Sequence, residues 1–336
     1  MILHNTPYLG SEEKKVSLKV LSSQCVSQGE EVLKFETDLC HFFKLPKGHA
    51  AVVSSGSAAL FLALWSLNGK NKRVGIPVYA CAALRNATGM LGAKNVFLDC
   101  DNDGPNLNIK HAEQKDVEIL MATSMFGIPI ELPFNRKFKV IEDIAQSLGA
   151  KVNGKPIGLR GDIGICSFYA TKMITSGGQG GAVISRDKTL IDKIKDYREF
   201  DCRDDNKLRF NFQMTDLQAA IGRVQLKKLP DFIKQRERWF KIYSEIGLNL
   251  IDSNLKNHKP VRYRIVHRCK NPKKIINALA KENIKAIIPI EKYELLDKPE
   301  KYPCALSLCK NTVSLPAHLN LNEKNVYRIG NIVKKI

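Results

Sequence analysis

The chain has 336 residues, 44% hydrophobic and 26% charged, an ordinary globular composition with room for one large domain and a smaller one. No apolar run approaches the roughly 20 residues a bilayer span needs, and the start MILHNTPYLGSEEKK lacks the basic-then-apolar order of a signal peptide, so a cytoplasmic protein with no membrane partner is expected. The formal charge of +19 favours anionic partners, but lysine is spread along the whole chain, and no zinc-finger spacing or arginine–aromatic run points to nucleic acid.

In chain order, apolar runs alternate with helical patterns. AAVVS (50–54) reads as a strand, followed by the helix SAALFLALWSL (57–67), the strand RVGIP (73–77) and the helix AALRNATGMLG (82–92). NVFLD (95–99), EILMATS (118–124), FKVIED (138–143) and GICSFYA (164–170) continue the series of strands. Most are continuously apolar, as strands covered on both faces are, and strand–helix alternation predicts a mostly parallel sheet between helices. MTDLQAAIGRVQLKKL (214–229) opens with Thr215 and Gln218 at capping-box spacing. A second, basic helix, DFIKQRERWFKIYSEI (231–246), leads away from that domain. Beyond it, Asn271 and Pro272 open a helix, KAIIPI (285–290) reads as a strand, and NEKNVYRIGNIVKKI closes the chain as a helix. The fold expected is α/β, with a large domain over 1–240 and a small α+β domain over 241–336. Nine cysteines without C-x-x-C pairs fit free thiols and give no metal site.

Three stretches can carry chemistry. In SSGSAAL (54–60) a strand runs into a helix at Gly56 and Ser57, where free N–H groups, a hydroxyl and the helix dipole suit a phosphate. The plain alternative is a tight turn capped by Ser55. VIEDIAQSLGA (140–150) delivers Glu142 and Asp143 at the carboxyl end of a strand, where open α/β sheets bind ligands. Adjacent strand residues face opposite ways, so at most one need point into a site. SFYATKMITSGGQGG (167–181) sets Lys172 between a strand end and glycines that leave room for a bulky ring. An amine nucleophile needs burial or cationic neighbours to shed its proton; otherwise this is a surface lysine. Together, a phosphate cup, a carboxylate and a lysine are the three handles of pyridoxal 5'-phosphate.

With those stretches and VSQGEEVLKFETDLCHFF (26–43), FNFQMTDLQAAIGRVQLKKL (210–229) and VSLPAHLNLNEKNV (313–326), the chain resembles the DegT/DnrJ/EryC1/StrS sugar aminotransferases nearly end to end. The resemblance implies the aspartate-aminotransferase-like fold type I and a pyridoxal-phosphate-dependent transaminase that aminates a nucleotide-linked keto-sugar. L-glutamate is the expected donor, surface polysaccharide or other amino-sugar synthesis the expected setting, and a keto-cyclitol or other non-nucleotide ketone the alternative acceptor. It implies that Lys172 holds the cofactor and moves the proton, Asp143 pairs with the pyridinium nitrogen and Gln146 lies beside the ring. Gly56, Ser57 and Ser167 would bind the phosphate, with Asn211 reaching it from the partner subunit of a homodimer. Tyr79 and Cys81 fall in the stretch expected to cover the ring. The chain departs from the family at Gln179, where a glutamate is usual, and at Gln213, where an arginine is.

Overall fold

Continuously apolar segments become strands when both of their faces find cover; all six predicted runs are strands, with small shifts at their ends, and only the edge strand Lys94–Leu98 is largely uncovered. The computed structural model describes residues 1–336. One seven-stranded sheet runs, edge to edge, Ala50–Val53, Gly181–Ile184, Ile163–Ser167, Lys139–Asp143, Ile119–Thr123, Arg73–Pro77 and Lys94–Leu98. Six strands share one direction; Gly181–Ile184 is antiparallel to both neighbours. That reversed strand is absent from the sequence reading, because its four residues, GAVI, emerge straight from a glycine run.

Alternate residues of each strand feed different cores. Ala51, Val53, Ile163, Ile165 and Val183 pack with the helix Gly56–Ser66. Ala50, Val52, Cys166, Ala182 and Ile184 pack on the other face with the helix Glu30–Phe43. The period of two, invisible in a run that is apolar throughout, is thus used to build both sides of the sheet. The shared direction also gathers the strand carboxyl ends on one side, where Gly56, Asp143 and Ser167 follow or close their strands.

The two helices expected on either side of Pro230 are one helix of 30 residues, Asp216–Glu245. Its start is the predicted capping box: Thr215 Oγ1 accepts from the Gln218 N–H (3.2 Å), and Gln218 Oε1 from the Thr215 N–H (3.1 Å). Proline removes one hydrogen bond, but tertiary packing on both sides overrides it. Leu226, Leu229 and Phe232 are held in the second core, and Trp239, Phe240 and Tyr243 in a third. The expected boundary at 240/241 falls inside this helix.

The C-terminal part pairs Ile265–Arg268 with Thr312–Leu315, antiparallel, beneath the helices Pro272–Lys281 and Glu323–Lys334. Asn271 caps the first through the Lys274 N–H (3.1 Å). KAIIPI is not a strand; only Ile287 bridges, to Ser314, and Pro289, without an N–H, cannot extend a ladder. The N-terminus joins this part of the molecule: the Ile2 N–H donates to the Asn283 carbonyl (2.8 Å) and the Lys285 N–H to the Ile2 carbonyl (2.9 Å). The helix Pro303–Asn311 returns to the first core through Ala305, Leu308 and Cys309.

Pro230 is solvent-exposed, so its replacement removes a backbone penalty without opening a cavity. Pro230→Ala should stabilise the chain by about 1–3 kcal/mol in urea unfolding. A lowered midpoint would show that the helix depends on a bend there.

Candidate active site

The carboxyl edge of the sheet opens into a cavity of about 760 Å³, lined by Gly56, Ser57, Cys81, Asp143, Gln146, Ser167 and Lys172 among others. Strand alternation divides the two adjacent carboxylates. Asp143 faces the cavity, almost fully buried; one oxygen accepts from Thr123 Oγ1 (3.1 Å) and the other from the Ala145 N–H (2.9 Å). Glu142 faces the opposite side and is fully buried, accepting from the Arg160 N–H (2.9 Å), Nε (2.9 Å) and Nη2. Glu142 is therefore a structural counter-ion. Burial raises the Asp143 carboxyl above its ordinary value, outweighing the Ala145 N–H, the charge of Lys172 and the Thr123 hydroxyl, all of which favour the anion.

The strand-to-helix turn carries both of its readings at once. Ser55 caps the helix by accepting from the Ala58 N–H (3.1 Å). That bond satisfies only one of the orphan N–H groups of the first turn, and the exposed Ser57 follows directly. A Cβ on Gly56 would lie 2.8 Å from the Ser167 Cβ and 2.9 Å from its Oγ, so glycine alone lets the turn approach Ser167. Hydroxyls and helix N–H groups thereby surround one small concavity, a donor set that suits a phosphate.

Lys172 stands half-buried between them, its Nζ 5.4 Å from the centre of the Tyr263 ring. Gln146 Oε1 accepts from the Phe126 N–H (2.9 Å), and its Nε2 meets Met125 Sδ at 3.6 Å. It thus holds the turn Met125–Gly127, in which Phe126 has a φ of 59°. Cys81 lines the cavity, whereas Tyr79, expected over the same ring face, is fully buried below it, edge-on to Phe126 at 6.1 Å between ring centres. The two residues are separated by burial: the apolar ring enters the core and the small thiol stays at the surface. Gln179 lines the cavity. Asn211 does not; it is exposed on the segment before the long helix, its Oδ1 accepting from the Gln213 N–H (3.0 Å). The Gln213 amide meets Glu199 Oε2 at 3.5 Å, away from the cavity.

Thr123, Tyr263 and Arg264 belong to the site and escaped the sequence reading. Thr123 ends an ordinary apolar strand. Tyr263 and Arg264 come from a segment with no chemical signature, docked through backbone contacts. The Val261 N–H donates to the Gly127 carbonyl (3.0 Å) and the Arg264 N–H to the Phe126 carbonyl (3.2 Å). A Cβ on Gly127, itself at a φ of +89°, would sit 2.7 Å from the Tyr263 nitrogen.

These residues fit pyridoxal phosphate: an acid sealed behind the cavity, a lysine before it, and a glycine-made concavity for an anion. Two substitutions separate the neighbouring carboxylates. Glu142→Ala should cost about 1–3 kcal/mol in chemical unfolding, because it removes the buried acceptor of the Arg160 N–H and guanidinium. Asp143 has an ordinary pKa of 3.8, and burial raises it, so the folded cofactor-free chain holds this proton to higher pH than the unfolded chain does. Its stability should therefore fall as pH rises from that value through the folded one, and Asp143→Asn should remove that fall. Parallel profiles for the two chains would contradict this assignment.

The sequence signature of the DegT/DnrJ/EryC1/StrS aminotransferase family matches residues 7–334. The chain is 29% identical to a GDP-perosamine synthase of Escherichia coli O157:H7, over 96% of this chain and 94% of that protein. It is 31% identical to a UDP-4-amino-4,6-dideoxy-N-acetyl-beta-L-altrosamine transaminase of Campylobacter jejuni, over 73% and 69%. The pyridoxal-phosphate form of a putative sugar aminotransferase from Streptococcus pneumoniae superposes with a TM-score of 0.89 at 21% identity, covering 99% of this chain and 97% of that one. The fold is therefore that of the pyridoxal-phosphate sugar aminotransferases, and the chain belongs to the DegT/DnrJ/EryC1/StrS aminotransferase family.

Proposed function

We propose that this aminotransferase transfers the amino group of L-glutamate to the keto carbon of a sugar carried on a nucleoside diphosphate. The observation that carries the reading is the convergence of Asp143, Lys172 and the Gly56–Ser57–Ser167 concavity on one cavity. Its volume lies in the range of whole small-molecule sites and exceeds the needs of an amino acid. The two relatives named above for GDP- and UDP-linked sugars supply the acceptor class.

Bound there, pyridoxal phosphate supplies an electron sink that lets an amine and a ketone exchange nitrogen through a single proton shift. Lys172 would hold the group through its amine and, once that amine is free, would give and take the proton that the nitrogen exchange requires. The Asp143 carboxylate, oriented by Thr123 and the Ala145 N–H, would keep the ring nitrogen protonated. Gly56, Ser57 and Ser167 hold the phosphate, with Asn211 completing that grip from the second subunit of a homodimer. Gln146 and Cys81 flank the ring. The exposed position of Asn211 outside its own chain's cavity supports that supply in trans. A cytoplasmic place in amino-sugar supply for surface polysaccharide follows from the same reading.

Lys172→Ala should lower transamination at least ~1000-fold, and borohydride treatment of the wild-type holoenzyme should leave a pyridoxyl mass adduct on Lys172. Retained turnover in the variant, or an adduct elsewhere, would sink the assignment. Shared sites also predict that cofactor affinity weakens when the protein is diluted below its dimer dissociation constant. An affinity independent of protein concentration would place the whole phosphate grip in one subunit.

A further inference from the structure

Basic side chains gather around Tyr263, which Lys172 also faces, and neither Arg236 nor Arg264 is in an ion pair. Nearby Arg262 shows the contrast: its guanidinium donates to Asp252 (Nη2, 3.0 Å, and Nη1) and Glu237 (Nε, 2.9 Å), and lies 3.6 Å over Phe240. Arg236 is fully buried and spends its Nη1 on the carbonyls of Tyr263 (3.0 Å) and Arg262 (3.4 Å). Arg264 has neither solution. It joins no ion pair, its buried Nη1 has no hydrogen-bond partner, and its guanidinium lies 5.7 Å from the Tyr263 ring that Lys172 also faces. A half-buried guanidinium with no acid paired to it and one N–H group shut off from water favours an anion.

The surroundings register the same deficit. Burial pushes the Tyr263 phenol up, yet the charges of Lys172, Arg264 and Arg236, with a hydrogen bond from Thr171, bring it below its ordinary value. His4 is pushed down to about 3, by burial first and then by Arg264, His318, Lys285 and Arg236. Arg264 stands at the junction of the main cavity and a side recess of about 320 Å³ lined by His4, Asn5, Thr171 and Lys285. Asn5 Nδ2 donates to the Thr171 carbonyl (3.0 Å), fixing the recess against the residue next to Lys172. The acids on the cavity wall are both engaged: Asp143 by Thr123 and the Ala145 N–H, and Glu294 through Oε2 by the Glu291 N–H (2.7 Å).

We propose that Arg264, assisted by Lys285, is the receptor for a carboxylate of the amino donor. The inference rests on the aminotransferase reading above and assigns the donor's place within that site. A planar guanidinium fork matches a carboxylate in two-point contact. The recess adjoins the residue next to Lys172, where the donor amine must arrive. The keto-sugar keeps the larger chamber. Gly127 fixes the geometry, because only a residue without Cβ lets the backbone that bears Arg264 dock against the Phe126 turn.

The test uses the cofactor-loaded enzyme and L-glutamate without acceptor, following loss of the cofactor's visible absorbance in a single turnover. Arg264→Gln should raise the apparent Kd for glutamate about 10- to 100-fold, the effect of losing a charged hydrogen-bonding partner, while KM for the keto-sugar stays put. Arg264→Lys should recover only part of this, and Lys285→Gln should show a smaller rise. Calorimetry with glutarate, an unreactive dicarboxylate, on the cofactor-free chain gives a second readout: binding by the wild type and its loss in Arg264→Gln. Unchanged glutamate affinity in Arg264→Gln, beside an active wild type, overturns the receptor and leaves the proposed function standing. A change confined to the keto-sugar KM overturns it too, by assigning Arg264 to the pyrophosphate. A wild type inert to every amino acid defeats the proposed function, and the glutarate titration then still decides whether Arg264 binds carboxylates.

Discussion

Asp143 is a carboxylate held almost without solvent at the end of a central strand, facing a lysine across a cavity. Burying such a charge is unfavourable unless hydrogen bonds and an opposite charge meet it. Much of the site can be read as the means of meeting it. Thr123 and the Ala145 N–H hold its oxygens, Lys172 supplies a positive field, and a protonated ring nitrogen would complete the neutralisation. An acid kept in this state is poorly stabilised in the cofactor-free chain, and on the proposed reading the bound cofactor would relieve that cost.

The parallel sheet makes that arrangement geometrically cheap. Strands of one direction gather their carboxyl ends, so a phosphate-binding turn, an acid and a loop lysine from distant sequence positions meet without long connections. Both sheet faces are covered by separate cores, which leaves the strand ends as the open edge of the sheet. The reversed strand Gly181–Ile184 brings the chain back from the Lys172 loop and pairs beside Ser167, keeping both ends of that loop on rigid backbone.

Charge is partitioned on either side of Lys172. Behind the cavity, Glu142 and Arg160 neutralise each other in an interior pair that takes no part in the site. Toward the C-terminal part, Arg262 is neutralised by Asp252 and Glu237 while Arg264, two residues on, is left uncompensated. Two arginines with the same chemistry thus divide between holding the fold and awaiting a ligand, according to whether an acid of the chain lies in reach.

The sequence alone determined the α/β class, the six parallel strands, the capped helix starts and the trio of phosphate turn, carboxylate and lysine, because each is written in local period or in short motifs. Strand period alone could not choose between Glu142 and Asp143, since alternation tells that two neighbours diverge but not which face is the cavity; the family resemblance pointed to Asp143, and Asp143 is the one that lines the cavity. The sequence reading broke the long helix at Pro230, because the local cost of proline is legible and the packing of two cores that overrides it is not. It placed Tyr79 and Cys81 in one covering stretch, of which only Cys81 lines the cavity. Tyr263 and Arg264 were out of its reach altogether: a tyrosine and an arginine in a basic chain carry no signal. Only the docking of 261–264 onto the Phe126–Gly127 turn, a contact between segments more than a hundred residues apart, brings them to Lys172.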